Sequence, residues 1–269
     1  MARQKLGQHF LGDAAWQHRI FETLPKNPNH VWIEIGAGHG EMTRLLAASG
    51  RRVIAIETDT VLVEGLRDRM SALSEESSNT EIVSGDVLTI DLAKLAPGQN
   101  VRVYGNLPYY ITSPILHRLF AIADRILSIH VVIQLEVAQR IAAGPGSRAY
   151  GYLSAACQFY THPQIAFKIP GGAFRPPPRV TSALVQMDLP GERTALDIPD
   201  EARFLEFVGI CFGQKRKTLR NNLRSLHSDT LIHESLAACG LRPDARAEQL
   251  PLGQFAKLFK KLNGPDEKA

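Results

Sequence analysis

Val31-Trp32-Ile33-Glu34-Ile35-Gly36-Ala37-Gly38-His39-Gly40 decides the fold of this chain: an apolar run breaks into three glycines at alternate positions, and a helical pattern starts at once. A short apolar run bounded by glycine marks a buried strand, and glycines at its end let the backbone turn tightly before a helix. The rhythm recurs. Arg52–Ile56, Glu81–Val83, Val101–Tyr104 and Ile129–Ile133 read as further strands. Gly40–Ala48 and Thr60–Leu73 read as helices, with apolar residues three and four apart. Strand, helix, strand at this spacing predicts an α/β fold with a largely parallel sheet covered on both faces. A last strand, Ser182–Met187, closes this part.

Pro190-Gly191 begins a loop, and Pro199-Asp200 supplies an N-cap for a new helix. Beyond it the pattern is helical only: Phe204, Phe207, Val208 and Cys211 fall at i, i+3, i+4 and i+7, and Leu252–Leu262 is a second amphipathic stretch. The expectation is an α/β domain over residues 1–189 and a small all-helical domain over residues 190–269, with residues 264–269 frayed.

With 269 residues, 44% of them hydrophobic and 22% charged, the chain has room for two such cores. Cys157, Cys211 and Cys239 are far apart and form no CxxC pair, which argues for a reducing compartment and against a disulfide framework or a zinc site. The histidines show no ligand spacing, so no metal is expected. The opening residues lack an apolar signal segment and no apolar stretch approaches about 18 residues, so a cytoplasmic location off the membrane is expected. The net charge of +4 permits a polyanionic partner.

Two stretches carry chemistry. In the first, the glycines run GxGxG rather than GxGxxG. A dinucleotide needs the helix N-terminus to hold its pyrophosphate, whereas a methylsulfonium nucleoside has no phosphate and suits the tighter turn. Glu57 ends the second strand and can accept from both ribose hydroxyls, and Asp86, after the third strand in Ser84-Gly85-Asp86-Val87, can accept from an adenine amine. Such folds bind ligands at this carboxyl edge of the sheet.

The second stretch is Asn106-Leu107-Pro108-Tyr109, directly after a strand. A base amine is a poor nucleophile because its lone pair is delocalised into the ring. Two acceptors on its two N–H bonds, the Asn106 side-chain oxygen and the Leu107 carbonyl, push that nitrogen toward tetrahedral geometry. Pro108 fixes the turn without adding a donor, and Tyr109 can stack on the base. A sulfonium donor is already electrophilic, so positioning and electrostatics can supply most of the acceleration without a strong general base. Phe174-Arg175-Pro176-Pro177-Pro178-Arg179 is a stiff extended tract, and Phe174 is expected as the second stacking face, opposite Tyr109, for a flipped base.

Leu6–Leu11, Glu34–Gly38, Asn106–Tyr109, Gln134–Ala138, Tyr150–Ser154, Phe174–Val180 and Lys215–Leu223 match one known pattern along nearly the whole chain. The chain resembles the ribosomal RNA adenine N6-dimethyltransferases, most closely their bacterial small-subunit (16S) branch. The resemblance implies a Rossmann-like S-adenosylmethionine-dependent methyltransferase domain followed by a helical RNA-binding domain. It implies S-adenosyl-L-methionine as cofactor and two adjacent adenines in the 3′-terminal hairpin loop of 16S rRNA as acceptors, each methylated twice, in the small ribosomal subunit or its precursor. A monomer with a role in subunit biogenesis is the matching expectation. By position, His9 and Leu11 line the cofactor site with Gly36, Gly38, Glu57, Asp86 and Asn106. Two residues depart from the pattern: His9 stands where many members have asparagine, and Leu135 where lysine is usual.

Gly213–Arg224 holds five basic residues and no acid, and is expected to start as helix. Lys215, Arg216, Lys217 and Arg220, with Arg175 and Arg179, are the expected phosphate contacts, which set register and affinity but not base choice. Two rival readings stand beside the first. One is a large-subunit rRNA adenine dimethyltransferase of the antibiotic-resistance type, against which Phe174–Val180 and Lys215–Leu223 weigh. The other is a non-catalytic RNA-binding or transcription-assisting module, which has no need of the full set Gly36, Glu57, Asp86 and Asn106.

Overall fold

The computed structural model describes residues 9–27, 29–72 and 79–263. Leu6 to Gln8 of the first matching stretch, Leu73 at the end of a predicted helix, and residues 264–269 lie outside the described residues.

The described chain opens with β1 (Phe10–Leu11) and α1 (Ala14–Thr23), which starts where the Asp13 side chain accepts from the Ala15 and Trp16 amides. β2 (Val31–Ile35) leads through the glycine turn into α2 (Glu41–Ala48), and β3 (Val53–Glu57) into α3 (Thr60–Ser71), which Asp59 caps. β4 (Thr80–Ser84), β5 (Val101–Asn106), α4 (Thr112–Phe120), β6 (Ile126–Gln134) and α5 (Leu135–Ile141) follow. Next come α6 (Tyr152–Tyr160), β7 (His162–Ile169), β8 (Phe174–Arg175) and β9 (Ser182–Asp188). The remainder is helical: α7 (Arg193–Leu196), α8 (Glu201–Cys211), α9 (Leu219–Leu223), α10 (Asp229–Ala238) and α11 (Leu252–Asn263).

The main sheet runs β4-β3-β2-β5-β6-β9-β7. From β4 to β6 every pairing is parallel, and β9 returns antiparallel to β6. All five residues of β2 and of β3 are buried, as strands covered on both faces require, which is why they read as apolar runs interrupted only by Glu34 and ended by Glu57. Register aligns the strand ends: Ile35 lies opposite Ile56 and Gly105, Glu57 opposite Ser84, and Asn106 opposite Val132. Gly36, Glu57, Asp86 and Asn106 therefore leave the sheet at one edge. Strand order reverses between β2 and β5, and such a switch point opens the crevice in which doubly wound sheets bind ligands.

Three strands, β1, β7 and β8, lie outside the elements that the sequence pattern predicts. β1 and β8 have two residues each and pair only with one another, Phe10 opposite Arg175 and Leu11 opposite Phe174, too short for any periodicity. β7 alternates exposed and half-buried positions beside β9, the pattern of an edge strand.

The chain divides into two compact units. One unites the described residues of 1–138 with 163–189, and the other unites 139–162 with those of 190–269. The break after Leu189 falls where Pro190-Gly191 predicts a loop, but residues 139–162 group with the helices rather than with the sheet-bearing part expected over 1–189. The cause is packing: Phe159 of α6 lies 5.3 Å from Phe204 of α8, Tyr150 lies 5.7 Å from Phe212, and the Gly191 amide donates to the Tyr160 carbonyl over 2.8 Å. Within this unit Asp200 caps α8 by accepting from the Arg203 amide at 2.9 Å. Phe204, Phe207, Val208 and Cys211 are all buried, as their spacing predicts.

Candidate active site

At the carboxyl edge of the sheet a cleft of about 740 Å³, open to solvent, is lined by His9, Phe10, Gly36, Glu57, Asp86, Asn106, Leu107 and Tyr109 among others. A second lobe shares Phe10, Gly36 and Asn106 with it and adds Leu11, Gln17, Glu34, Gly38 and Tyr104. Every residue expected around the cofactor thus lines one lobe or the other.

The glycine turn brings the backbone of Gly36 and Gly38 to the cleft. Gly36 has φ +71° and Gly40 φ +85°, left-handed values that side chains resist, and a Cβ on Gly40 collides with Leu66 Cδ1. Glu57 ties the turn to the end of β3. Its Oε2 accepts from the Gly38 amide at 2.9 Å, and its Oε1 accepts from the Thr58 and Asp59 amides at 2.8 and 3.0 Å. A carboxylate offers about four acceptor positions, so three backbone bonds leave about one. Glu57 can take one ribose hydroxyl as it stands, and a second only if a backbone amide yields. Asp86 is exposed and its Oδ1 accepts from the Leu88 amide at 2.9 Å, so it builds its own turn while lining the cleft.

On the acceptor side, Asn106 Nδ2 donates to the His9 carbonyl over 2.8 Å. A carbonyl can only accept, so the amide nitrogen must face it and the other amide atom is committed as an acceptor. Leu107 is 1% exposed, and its amide donates to the Val132 carbonyl at 3.1 Å, which fixes the peptide carrying the second expected acceptor. The Pro108 carbonyl accepts from the Ile111 amide and closes the helical turn Tyr109–Ile111. Half-buried Tyr109 has its hydroxyl 2.8 Å from Ser182 Oγ. Burial pushes that phenol's pKa up, with the Ser182 bond pulling the other way, so the phenol stays neutral. The His9 ring stacks on Tyr109 at 5.8 Å between centroids and 28° between planes. Its Nδ1 lies 2.7 Å from the Pro176 carbonyl and therefore carries the proton.

Three expectations need correction. Phe174 is 0% exposed and packs in the core with Leu11, Ala173 and Leu184, so it offers no face to a base. Strand alternation is the reason: β8 turns Phe174 inward and exposes Arg175, whose guanidinium donates to the Gly172 and Phe174 carbonyls. Arg179 is exposed. The basic segment does not start as helix either: residues 213–217 are turns, and α9 begins only after Thr218 caps it through the Asn221 amide. Lys215, Arg216 and Lys217 are exposed, with Lys215 Nζ donating to the Arg148 carbonyl. Arg220, by contrast, grips Asp229 through two nitrogens, and Arg224 joins it at 3.1 Å. The compensating acid lies five residues beyond the basic stretch, and the two guanidiniums hold its carboxyl well below the usual carboxylate range. Arg220 is thus an internal tie between α9 and α10, not a spare cation for phosphate.

Glu34 is a site residue that the sequence pattern does not single out. It is 2% exposed, accepts from Thr43 Oγ1 at 2.6 Å, and lines the second lobe. Burial pushes its pKa up to about 8, against the Thr43 bond, and the nearby Glu41 and Glu57 add to the rise. An acid inside an apolar strand, just before the glycine turn, was the available signal. Ser182 and Pro176 carried none, because they reach the site from 73 and 167 residues away along the chain.

The model of one family, described as ribosomal RNA adenine dimethylase, matches residues 1–264. The chain belongs to the ribosomal RNA adenine dimethylase family. It is an S-adenosylmethionine-dependent methyltransferase with the α/β fold and helical C-terminal region of that family. It is 41% identical to the ribosomal RNA small subunit methyltransferase A of Koribacter versatilis, over 97% of this chain and 94% of the relative. Identity to the protein of the same name from Xanthomonas campestris is 40%, over 96% and 95%. Among solved structures, 23S rRNA methyltransferase ErmE superposes with a TM-score of 0.69 at 27% identity, covering 94% of this chain and 99% of its own. A dimethyladenosine transferase from Plasmodium falciparum shares the fold, with a TM-score of 0.77 at 22% identity over 94% and 98%.

Proposed function

We propose that this dimethylase acts on the small ribosomal subunit or its precursor, placing two methyl groups on each of two adjacent adenines in the 3′-terminal hairpin loop of 16S rRNA. Identity of about 40% to small-subunit relatives along nearly the full chain supports that target over the large-subunit one. The chemistry rests on one observation, the commitment of the Asn106 amide nitrogen to the His9 carbonyl.

When bound, S-adenosylmethionine supplies an electrophilic methyl group, and Gly36, Gly38, Glu57, Asp86, Leu11 and His9 are the residues to hold it. Asn106 Oδ1 and the Leu107 carbonyl accept the two N–H bonds of the target amine and localise its lone pair. Tyr109 stacks on the base, and Ser182 holds the plane of its ring. No side chain needs to remove a proton before attack, and the open cleft lets water carry the released proton away. After one transfer a single N–H remains, so one acceptor gives way to methyl in the second round.

Arg175, Arg179, Lys215, Arg216 and Lys217 are the proposed phosphate contacts, and the working state is a cytoplasmic monomer. Among the described residues no helix is long and apolar enough to cross a membrane. The test is incubation with labelled donor and unmodified small-subunit particles, followed by mapping of the product. Two dimethylated adenines in the 3′-terminal hairpin are expected; label confined to large-subunit RNA, or none, overturns the reading.

A further inference from the structure

Taking one base out of a strand leaves its neighbour with a bare face, and that lost stack is part of the cost of extruding the target. We propose that Tyr110 covers that face, so that the base beside the target adenine stacks on its ring at the lip of the cleft; the proposal rests on the adenine reading above. Tyr110 is 59% exposed, although Tyr109 and Ile111 on either side of it line the cleft. The three residues form one helical turn, and at about three residues per turn each side chain leaves in its own direction. Among the described residues no ring packs on Tyr110 and its hydroxyl makes no hydrogen bond.

The ring stands on a rigid mount. The Pro108 carbonyl accepts from the Ile111 amide at 3.2 Å and from Thr112 Oγ1 at 3.4 Å, and buried Thr112 begins α4. Little chain freedom is therefore left to lose when a base settles on Tyr110. Val180 is 45% exposed, and it and Tyr110 each lie within two residues of the 2.8 Å contact between Tyr109 and Ser182. An apolar rim thus comes from two chain segments at the acceptor end of the cleft, with exposed Arg179 next to Val180 to meet phosphate. A stacking ring reads no base edge, so it selects by stacking strength, and a purine beside the target offers the larger face. Tyr110 in this way favours an adenine that has another adenine next to it.

The experiment compares wild type with Tyr110→Ala and Tyr110→Phe on unmodified small-subunit particles with labelled donor, with cofactor affinity measured by calorimetry. Two synthetic 3′-terminal hairpins carry fluorescent 2-aminopurine on one side or the other of the adenine pair. This probe is dim while stacked and brightens when its neighbour flips away, unless another ring takes the vacated place. On one side it should stay dim with wild type and Tyr110→Phe, and brighten with Tyr110→Ala. The value of kcat/KM for RNA should fall about 5- to 100-fold in Tyr110→Ala and return to within about threefold of wild type in Tyr110→Phe. Cofactor Kd and unfolding midpoint should stay unchanged in both variants. Equal brightness with wild type and Tyr110→Ala in both hairpins overturns the proposal. So does a cofactor Kd that weakens in step with kcat/KM, or a Phe variant no better than Ala. The position of wild-type label in the particles tests the adenine reading separately: label in other RNA sinks that reading, while the ratio between variants on the labelled RNA still decides the role of Tyr110.

Discussion

Replacing Asn106 separates the two jobs its amide performs. In Asn106→Ala both disappear: the acceptor for the target amine and the donor to the His9 carbonyl at 2.8 Å. Removing the donor has a modest effect, because a neutral hydrogen bond contributes about 0.5–1.5 kcal/mol net and half-buried His9 can find water for its carbonyl. A chain of this size then loses about 2–4 °C in unfolding midpoint. Removing the acceptor has the larger effect. Deleting one of two preorganised donors or acceptors at a reacting centre costs roughly 10²- to 10³-fold in kcat. Asn106→Asp keeps acceptor oxygens but sets one of them against the His9 carbonyl, acceptor facing acceptor, and so expels the β1 segment that lines both lobes. The Asp variant should therefore lose cofactor affinity, whereas the Ala variant should lose turnover and keep most of that affinity. Single-turnover transfer from labelled donor and calorimetric cofactor binding read the two effects. Turnover by Asn106→Ala within about threefold of wild type refutes the acceptor mechanism.

Phe174→Ala should destabilise the fold by about 3–5 kcal/mol in urea titration, and Phe174→Leu should keep most of the activity; impaired turnover with unchanged stability contradicts its placement in the core. Glu34, neutral in the fold up to pH about 8 but ionised above about 4.5 when unfolded, makes stability fall as pH rises through that window. The slope it contributes is at most about 1.4 kcal/mol per pH unit, and Glu34→Gln should flatten it; parallel profiles for the two proteins count against the burial argument. Replacing Lys215, Arg216 and Lys217 together by Ala should lower the logarithmic salt slope of RNA binding by roughly 0.7–0.9 for each phosphate these side chains neutralise. Arg220→Ala should instead leave that slope unchanged and lower the unfolding midpoint, and a slope that falls with Arg220 refutes its assignment to Asp229.

Much of the site was legible because it is local. A strand ending in three alternating glycines needs only neighbouring residues to declare itself, and Glu57, Asp86 and Asn106 each sit at the end of an apolar run. Once the strands are parallel neighbours, their ends must meet at one edge. Glu34 is harder to read from sequence, since an acid in an apolar strand is informative only when the strand is known to be covered on both faces.

By itself the sequence determined the alternating α/β order, the loop after Leu189, the position of Gly36, Glu57, Asp86 and Asn106 at strand ends, and the family. Tertiary structure alone decided which side of each short segment is buried and which is exposed. Phe174 and Arg175 are adjacent, and only the pairing of β8 with β1 turns the aromatic inward and the cation outward. Arg220 reads as a spare charge until α10 brings Asp229 to it, and residues 139–162 follow their packing partners rather than their place in the chain. His9 meets Tyr109 and Asn106 across 100 and 97 residues. Periodicity and spacing report contacts made within a few residues; burial, pairing and charge neutralisation between distant segments are settled only when the chain closes on itself.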